Sequence, residues 1–233
     1  MSKKFNENGV ILWQGRSHYT QDEIVVVATG LKSKSANLKT GDLIQTWILL
    51  RDISPCDASK AGVDTAICGS CPMRRSTGGA CYVTLHKAPT TIWKAYKRGS
   101  YRQATAQDLK ILRARIVRIG SYGDPAAVPI KVWRSVAGKS RTGYTHGWRR
   151  KKSLQSLAMA SVENIEGAIE AQKKGWRTFR VLKPGEEKLS TEILCPAVSK
   201  GISCDKCKLC KGNTTKAKSV AIPAHGNLVS RIK

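Results

Sequence analysis

Apolar residues fall in two rhythms along this chain. In the first third they come in short continuous runs. Glu23-Ile-Val-Val-Val-Ala-Thr-Gly30 is rich in β-branched residues and reads as a buried strand. Asp42-Leu-Ile-Gln-Thr-Trp-Ile-Leu-Leu50 reads as a second strand, and the polar stretch 33–41 between them as a loop closed by Gly41. From about residue 88 helical and strand patterns alternate. Pro89 opens a helix that ends at Lys97-Arg98-Gly99, where proline, basic last turn and glycine agree. Gln107 to Ile116 reads as helix and Val117-Arg-Ile-Gly120 as strand. Asp124 to Trp133 reads as a loop entering a helix, and 143–148 and 157–162 as strands. Asn164 to Gly175 is an amphipathic helix with acids in its first turn and lysines in its last. Trp176 to Leu182 and Ser219 to Pro223 complete the strands. Alternation of this kind predicts an α/β protein with a parallel sheet and crossover helices.

A chain of 233 residues can bury an ordinary core, and no apolar run approaches a membrane span. The pattern divides into a β-rich segment over 1–87, an α/β stretch over 88–190 and a cysteine-rich tail over 191–233, all within one compact unit. The first residues, Met1-Ser-Lys-Lys-Phe5, show no secretory h-region, which points to the cytoplasm.

Charge changes the picture. There are 41 Lys and Arg against 16 Asp and Glu, a net charge of +25. It is uneven: residues 61–160 hold 19 basic groups and 3 acidic ones. Such a stretch repels itself unless a polyanion compensates, so DNA or RNA is the expected partner and a membrane is not. The block Trp148-Arg149-Arg150-Lys151-Lys152 sets an aromatic beside four cations, a combination suited to a stacked base and its phosphates. A solvated loop is the plainer alternative. With so few carboxylates in that stretch, two-metal nuclease chemistry is poorly supplied.

Eight cysteines form two groups of four: Cys56, Cys68, Cys71 and Cys81, then Cys195, Cys204, Cys207 and Cys210. Thiolates spaced C-x2-C-x2-C, as at 204–210, wrap one turn of loop around a point. In a reducing compartment that favours metal over disulfide. An iron–sulfur cluster and zinc both suit these ligands. In the first group Cys56 stands apart, twelve residues before Cys68.

The order of a Cys68-Gly-Ser-Cys71-Pro loop ending Cys81-Tyr82, then Gly120-Ser-Tyr-Gly-Asp-Pro125, then Thr145-His146-Gly147 resembles the partial barrel of radical S-adenosylmethionine proteins. The resemblance covers about residues 65–182. It implies a partial parallel (β/α) barrel closed by a C-terminal cysteine-rich metal knuckle, with a cluster on Cys68, Cys71 and Cys81. It also implies S-adenosylmethionine held by Gly123, Asp124 and Pro125. The spacing departs from the usual C-x3-C-x2-C of those enzymes, and a fourth thiolate from Cys56 would close the iron that the cofactor needs. The chain is also similar, from Ser35-Ala-Asn-Leu-Lys-Thr-Gly41 to His225-Gly226, to a group of phage-encoded cysteine-rich proteins of unassigned function.

Asp124 and His146 are the candidate catalytic residues. Asp124 is equally suited to cap the following helix with Pro125 at its first position. His146, between glycines at a predicted strand end, sits where parallel sheets place functional groups. The other reading is a hydrogen-bonded histidine at the rim. His225 is a further candidate metal ligand, although a lone histidine is more often structural. The expected function is an iron–sulfur protein acting on nucleic acid. The alternative is a non-catalytic nucleic-acid-binding protein stapled by two four-cysteine zinc sites.

Overall fold

The computed structural model describes residues 4–33, 37–138, 140–214, 216–225 and 228–232. Parts of two sequence motifs, Ser35-Ala36 and Gly226, lie outside them.

All three sequence segments contribute to one ten-stranded sheet, in the order β4-β1-β2-β3-β5-β6-β7-β8-β10-β9. β1 (Gly9–Arg16), β2 (Glu23–Thr29) and β3 (Ile44–Leu50) form an antiparallel meander. From β3 onward every pairing is parallel, through β5 (Val117–Tyr122), β6 (Arg141–Thr145), β7 (Met159–Val162), β8 (Thr178–Leu182), β10 (Ser219–Pro223) and β9 (Glu192–Leu194). β4 (Arg102–Gln103) pairs parallel with the outer side of β1. The α/β class therefore holds, as a mostly parallel sheet with an antiparallel end. Its two outermost strands, β4 and β9, are not partners of each other among the described residues.

Burial explains the continuous apolar runs. Ile24 through Ala28 are inaccessible to solvent, as are Ile44, Ile48 and Leu49. Each buried Ile, Val or Leu side chain among them contributes about 1.5–3 kcal/mol relative to exposure. Helices complete the layers: α1 (Pro55–Ala61), α2 (Thr65–Cys68), α3 (Ala88–Lys97), α4 (Ala106–Ala114), α5 (Ile130–Val136) and α6 (Ile165–Lys173). Between β9 and β10 lie α7 (Pro196–Ser199) and α8 (Cys204–Cys207). α5 links β5 to β6 and α6 links β7 to β8, as the alternating pattern requires. No described helix is long and apolar enough to cross a membrane.

The strand expected over 143–148 ends at Thr145. The chain then turns into a short 3-10 segment, Gly147–Arg149, that carries Trp148 into the core with only 2% exposure.

Candidate functional site

The first cysteine group is built by two helices and a folded loop. Ser54 caps α1 by accepting from the Asp57 amide at 3.2 Å, Pro55 opens it, and Gly62 ends it at φ 75°. Cys56 thus lies on a helix, its Sγ 3.5 Å from Thr90 Oγ1 of α3. Cys68 closes α2, and the chain reverses so that the Cys71 amide donates to the Cys68 carbonyl at 3.2 Å. The long gap to Cys81 is folded back on itself. The Cys81 amide donates to Met73 O at 2.7 Å, and Arg75 donates to the carbonyls of Cys81 and Val83 at 3.1 and 3.0 Å. Buried Asp64 holds the loop from beneath, accepting from Arg74 at 3.0 Å and Ser76 at 2.8 Å.

These turns bring Cys68, Cys71 and Cys81 to one cavity of about 160 Å³. Its opposite wall comes from β5, β6, β7, β8 and β10, chiefly toward their carboxyl ends: Ser121, Tyr122, Tyr144, Ser161, Phe179 and Ile222, with His146 just past β6. The carboxyl ends of parallel strands are where open α/β sheets place their ligands. Cys56 is not in this wall. Ser121 Oγ and Tyr122 OH are buried there without a hydrogen-bond partner. Polar groups left in that state favour a ligand that would satisfy them.

Gly120, inside β5, and Gly123, in the turn that follows β5, take φ 69° and 82°. A Cβ on Gly123 would lie 2.7 Å from the Ile48 side chain, so only glycine lets the turn approach so closely. The Asp124 amide then donates to Ile67 O at 2.6 Å, locking the turn onto α2 beside Cys68. The Asp124 carboxylate is buried and accepts from Ala126 N (2.8 Å), Thr145 Oγ1 (2.6 Å), His146 N (2.7 Å) and Gly147 N (3.3 Å). It caps the 3-10 segment that starts at Pro125 and fixes the end of β6. Gly123 and Asp124 border the cavity, whereas Pro125 lies behind it. Burial, and then the Asp124 carboxylate, push the nearby Tyr19 phenol far above its usual pKa.

His146 Nε2 is 3.7 Å from Cys71 Sγ and 2.9 Å from Glu163 Oε1. The second is an ion-pair distance without hydrogen-bond alignment, because Glu163 Oε1 has no aligned donor. Burial alone would lower the His146 pKa, but Cys71 and Glu163 outweigh it and hold it well above the ordinary value. Glu163, just before α6, carried no motif that could have marked it.

Burial and neighbouring thiols raise the pKa of Cys68, and burial chiefly raises that of Cys81. Thiols crowded this way stay protonated unless a metal cation displaces their protons.

The C-terminal group is equally built. Cys195, Cys204, Cys207 and Cys210 border one small recess behind Tyr144. Cys204 N donates to Lys39 O (3.0 Å) and Asp205 N to Thr40 O (3.2 Å), while Asp42 N donates to Asp205 Oδ2 (3.1 Å). The Lys39-Thr40-Gly41 turn is therefore the seat of the C-terminal loop. Buried Arg177, which the sequence reading passed over, clamps the other side. Its guanidinium donates to the carbonyls of Leu209 (2.6 Å), Gly212 (3.0 Å), Ala217 (2.8 Å) and Lys218 (2.6 Å). Burial raises the Cys204 thiol pKa and pushes that of Cys210 to about 12. His225 is not in this recess. Its Nε2 lies 2.8 Å from Lys39 Nζ and its ring packs 5.5 Å from that of Tyr82.

The basic block at 148–152 does not stand as one surface. Trp148 is buried, which removes it as a stacking face, and Arg149 covers its ring at 4.1 Å while pairing with Glu170. Lys151 Nζ lies 2.9 Å from His18 Nδ1, leaving Arg150 and Lys152 as its exposed cations without a described partner.

Among the described residues, no three His, Cys, Asp or Glu side chains are arranged to hold a metal ion as they stand. A mononuclear tetrahedral site needs its ligands to converge, whereas the thiolates of an iron–sulfur cluster attach to different irons. Cys68, Cys71 and Cys81, on one cavity wall, are thiol donors of the kind that either group takes. Comparison of the chain with family models, curated proteins and solved structures gives no match.

Proposed function

We propose that Cys68, Cys71 and Cys81 hold an iron–sulfur cluster in the cavity at the end of the parallel strands, and that the protein acts on nucleic acid. One observation carries the reading: these three thiols share a cavity wall that Cys56 does not join, its Sγ lying 3.5 Å from Thr90 Oγ1 of α3. A cluster held by three thiolates keeps one iron free of protein and supplies one-electron reduction to a molecule bound there. In the radical S-adenosylmethionine resemblance that molecule is the cofactor. Gly123 and Asp124 border its place, and the curvature of a partial barrel is part of the same proposal. His146, beside Cys71, is a polar side chain of the cavity wall next to the thiols, and Asp124 is a positioning residue that holds it through the His146 amide. The C-terminal group, a second cluster or a zinc, staples the loop between β9 and β10. A phage-encoded modification protein of the host cytoplasm fits this set of features.

The net charge of +25 supports the nucleic-acid partner. The non-catalytic alternative with two zinc staples requires Cys56 to join the other three thiolates, and Cys56 does not line the cavity that they share. Anaerobic purification tests the reading. It predicts a brown protein with acid-labile sulfide and broad visible absorbance. A colourless protein with stoichiometric zinc overturns it.

A further inference from the structure

A groove of about 890 Å³ opens onto the cluster cavity, and Tyr82, Arg118 and Tyr144 line both. Lys39, Lys87 and His225 also line the groove, and no aspartate or glutamate does among the described residues. Lys39 Nζ lies 2.8 Å from His225 Nε2, and Arg118 lies 5.6 Å over the Tyr144 ring; neither pairs with a carboxylate among the described residues. Lys87 is exposed. Tyr82, the residue after Cys81, is 47% exposed although it is a large aromatic at the junction of groove and cavity.

We infer that this groove binds a single-stranded polynucleotide segment and delivers one unstacked base past Tyr82 into the cavity. The inference rests on the nucleic-acid reading above and names the form of the substrate and its path. Three cations in a lining that has no aspartate or glutamate among the described residues suit a phosphate backbone. An exposed ring at the junction offers a stacking platform that tolerates any base. A base in a duplex is inaccessible to a buried site unless it is extruded, so a single strand is the form that reaches the cavity. The groove volume lies within the ~300–1,000 Å³ range of small-molecule sites, large enough for one nucleotide unit of a strand. DNA and RNA share this chemistry, so the strand's sugar is an outcome of the test.

The test is fluorescence anisotropy of the full chain with twelve-nucleotide single-stranded DNA, single-stranded RNA and duplex DNA. The variants are Tyr82→Ala, Tyr82→Phe, Lys39→Ala with Lys87→Ala, and the charge-matched control Lys131→Ala with Arg134→Ala on α5. Circular dichroism checks that each is folded. One of the single strands is expected to bind tighter than duplex. Tyr82→Ala should weaken it about tenfold, with Tyr82→Phe close to the unaltered protein. The groove pair should lose about tenfold or more, and the control pair clearly less. A strand carrying 5-iodouracil should photocross-link to the peptide containing Tyr82, a readout that needs no variant. Duplex preference, equal losses from groove and control pairs, or cross-linking elsewhere overturns the groove while leaving nucleic acid as partner. Absence of salt-sensitive binding to every probe overturns the nucleic-acid reading itself.

Discussion

Gly41 joins two motifs that lie far apart in sequence. It sits at φ 67°, and a Cβ there would overlap the Asp205 carboxylate, which the Asp42 amide binds. Gly41→Ala should therefore lower stability by about 1–3 kcal/mol in urea unfolding. Protease should cut first at the loosened Cys204–Cys210 loop, and an unchanged midpoint would contradict the docking. Asp124 acts at the same scale, with four donors on one buried carboxylate. Asp124→Ala should cost about 1–3 kcal/mol or more through the orphaned amides of His146 and Gly147. A thermal melt within a degree of the parent would refute that role. The cap at Asp124-Pro125 was legible because capping is local chemistry. Trp148 was not, because a tryptophan beside four cations looks exposed until the turn after Thr145 points it inward. Arg177 and Glu163 gave no signal, since a side chain that clamps carbonyls or backs a histidine does so through folding.

At the scale of elements, α1 had all its signals in place: Ser54 as cap, Pro55 in the first turn and Gly62 past the end. Seven residues leave no room for apolar periodicity, so the stretch reads as loop, and the helical setting of Cys56 was hidden with it. β1 was equally present as Val10-Ile-Leu-Trp13, but a bulge between Ile11 and Trp13 breaks the strand rhythm. α4 supplies a pH-dependent test. Thr105 and Asp108 form a capping box, and Arg102 of β4 binds the Asp108 carboxylate, with one contact at 2.9 Å. The hydrogen bond from Arg102, foremost, holds the Asp108 pKa far below the usual carboxylate range. A depressed carboxylate contributes stability that is present above its unfolded pKa of about 3.9 and lost as pH falls through the folded value. Asp108→Asn should thus cost about 1–2 kcal/mol at pH 7, and the difference should shrink below about pH 4. A gap that stays constant with pH would refute the ion pair. For the C-terminal staple, Cys207→Ser should leave an incomplete shell, reduce bound metal and expose the chain after Leu194 to protease. Unchanged metal content and digestion would remove the four-thiolate assignment.

For the whole molecule, the parallel sheet was legible from the alternation of helix and strand after residue 88, and the buried strands β2 and β3 from the continuous runs before it; their antiparallel pairing was not, because a continuous apolar run reports burial rather than strand direction. That all three segments share one sheet was not, because β3 joins β5 across 66 intervening residues and β10 inserts between β8 and β9. The same topology carries a cysteine loop from the N-terminal part to strand ends from the C-terminal part, so the site exists only in the assembled sheet. Charge acts at this scale too. Binding to polynucleotide should weaken steeply with salt, by about 0.9 in log K per log salt for each duplex phosphate contacted and about 0.7 for a single strand. A flat response would separate the +25 charge from nucleic acid. The central claim is the three-thiolate cluster, and iron and sulfide content of four anaerobically reconstituted single variants tests it most directly. Cys56→Ser should keep the iron and visible absorbance of the parent, while Cys68→Ser, Cys71→Ser and Cys81→Ser should each lose one cluster's worth. Equal loss in all four variants, or iron absent from the parent, would contradict it.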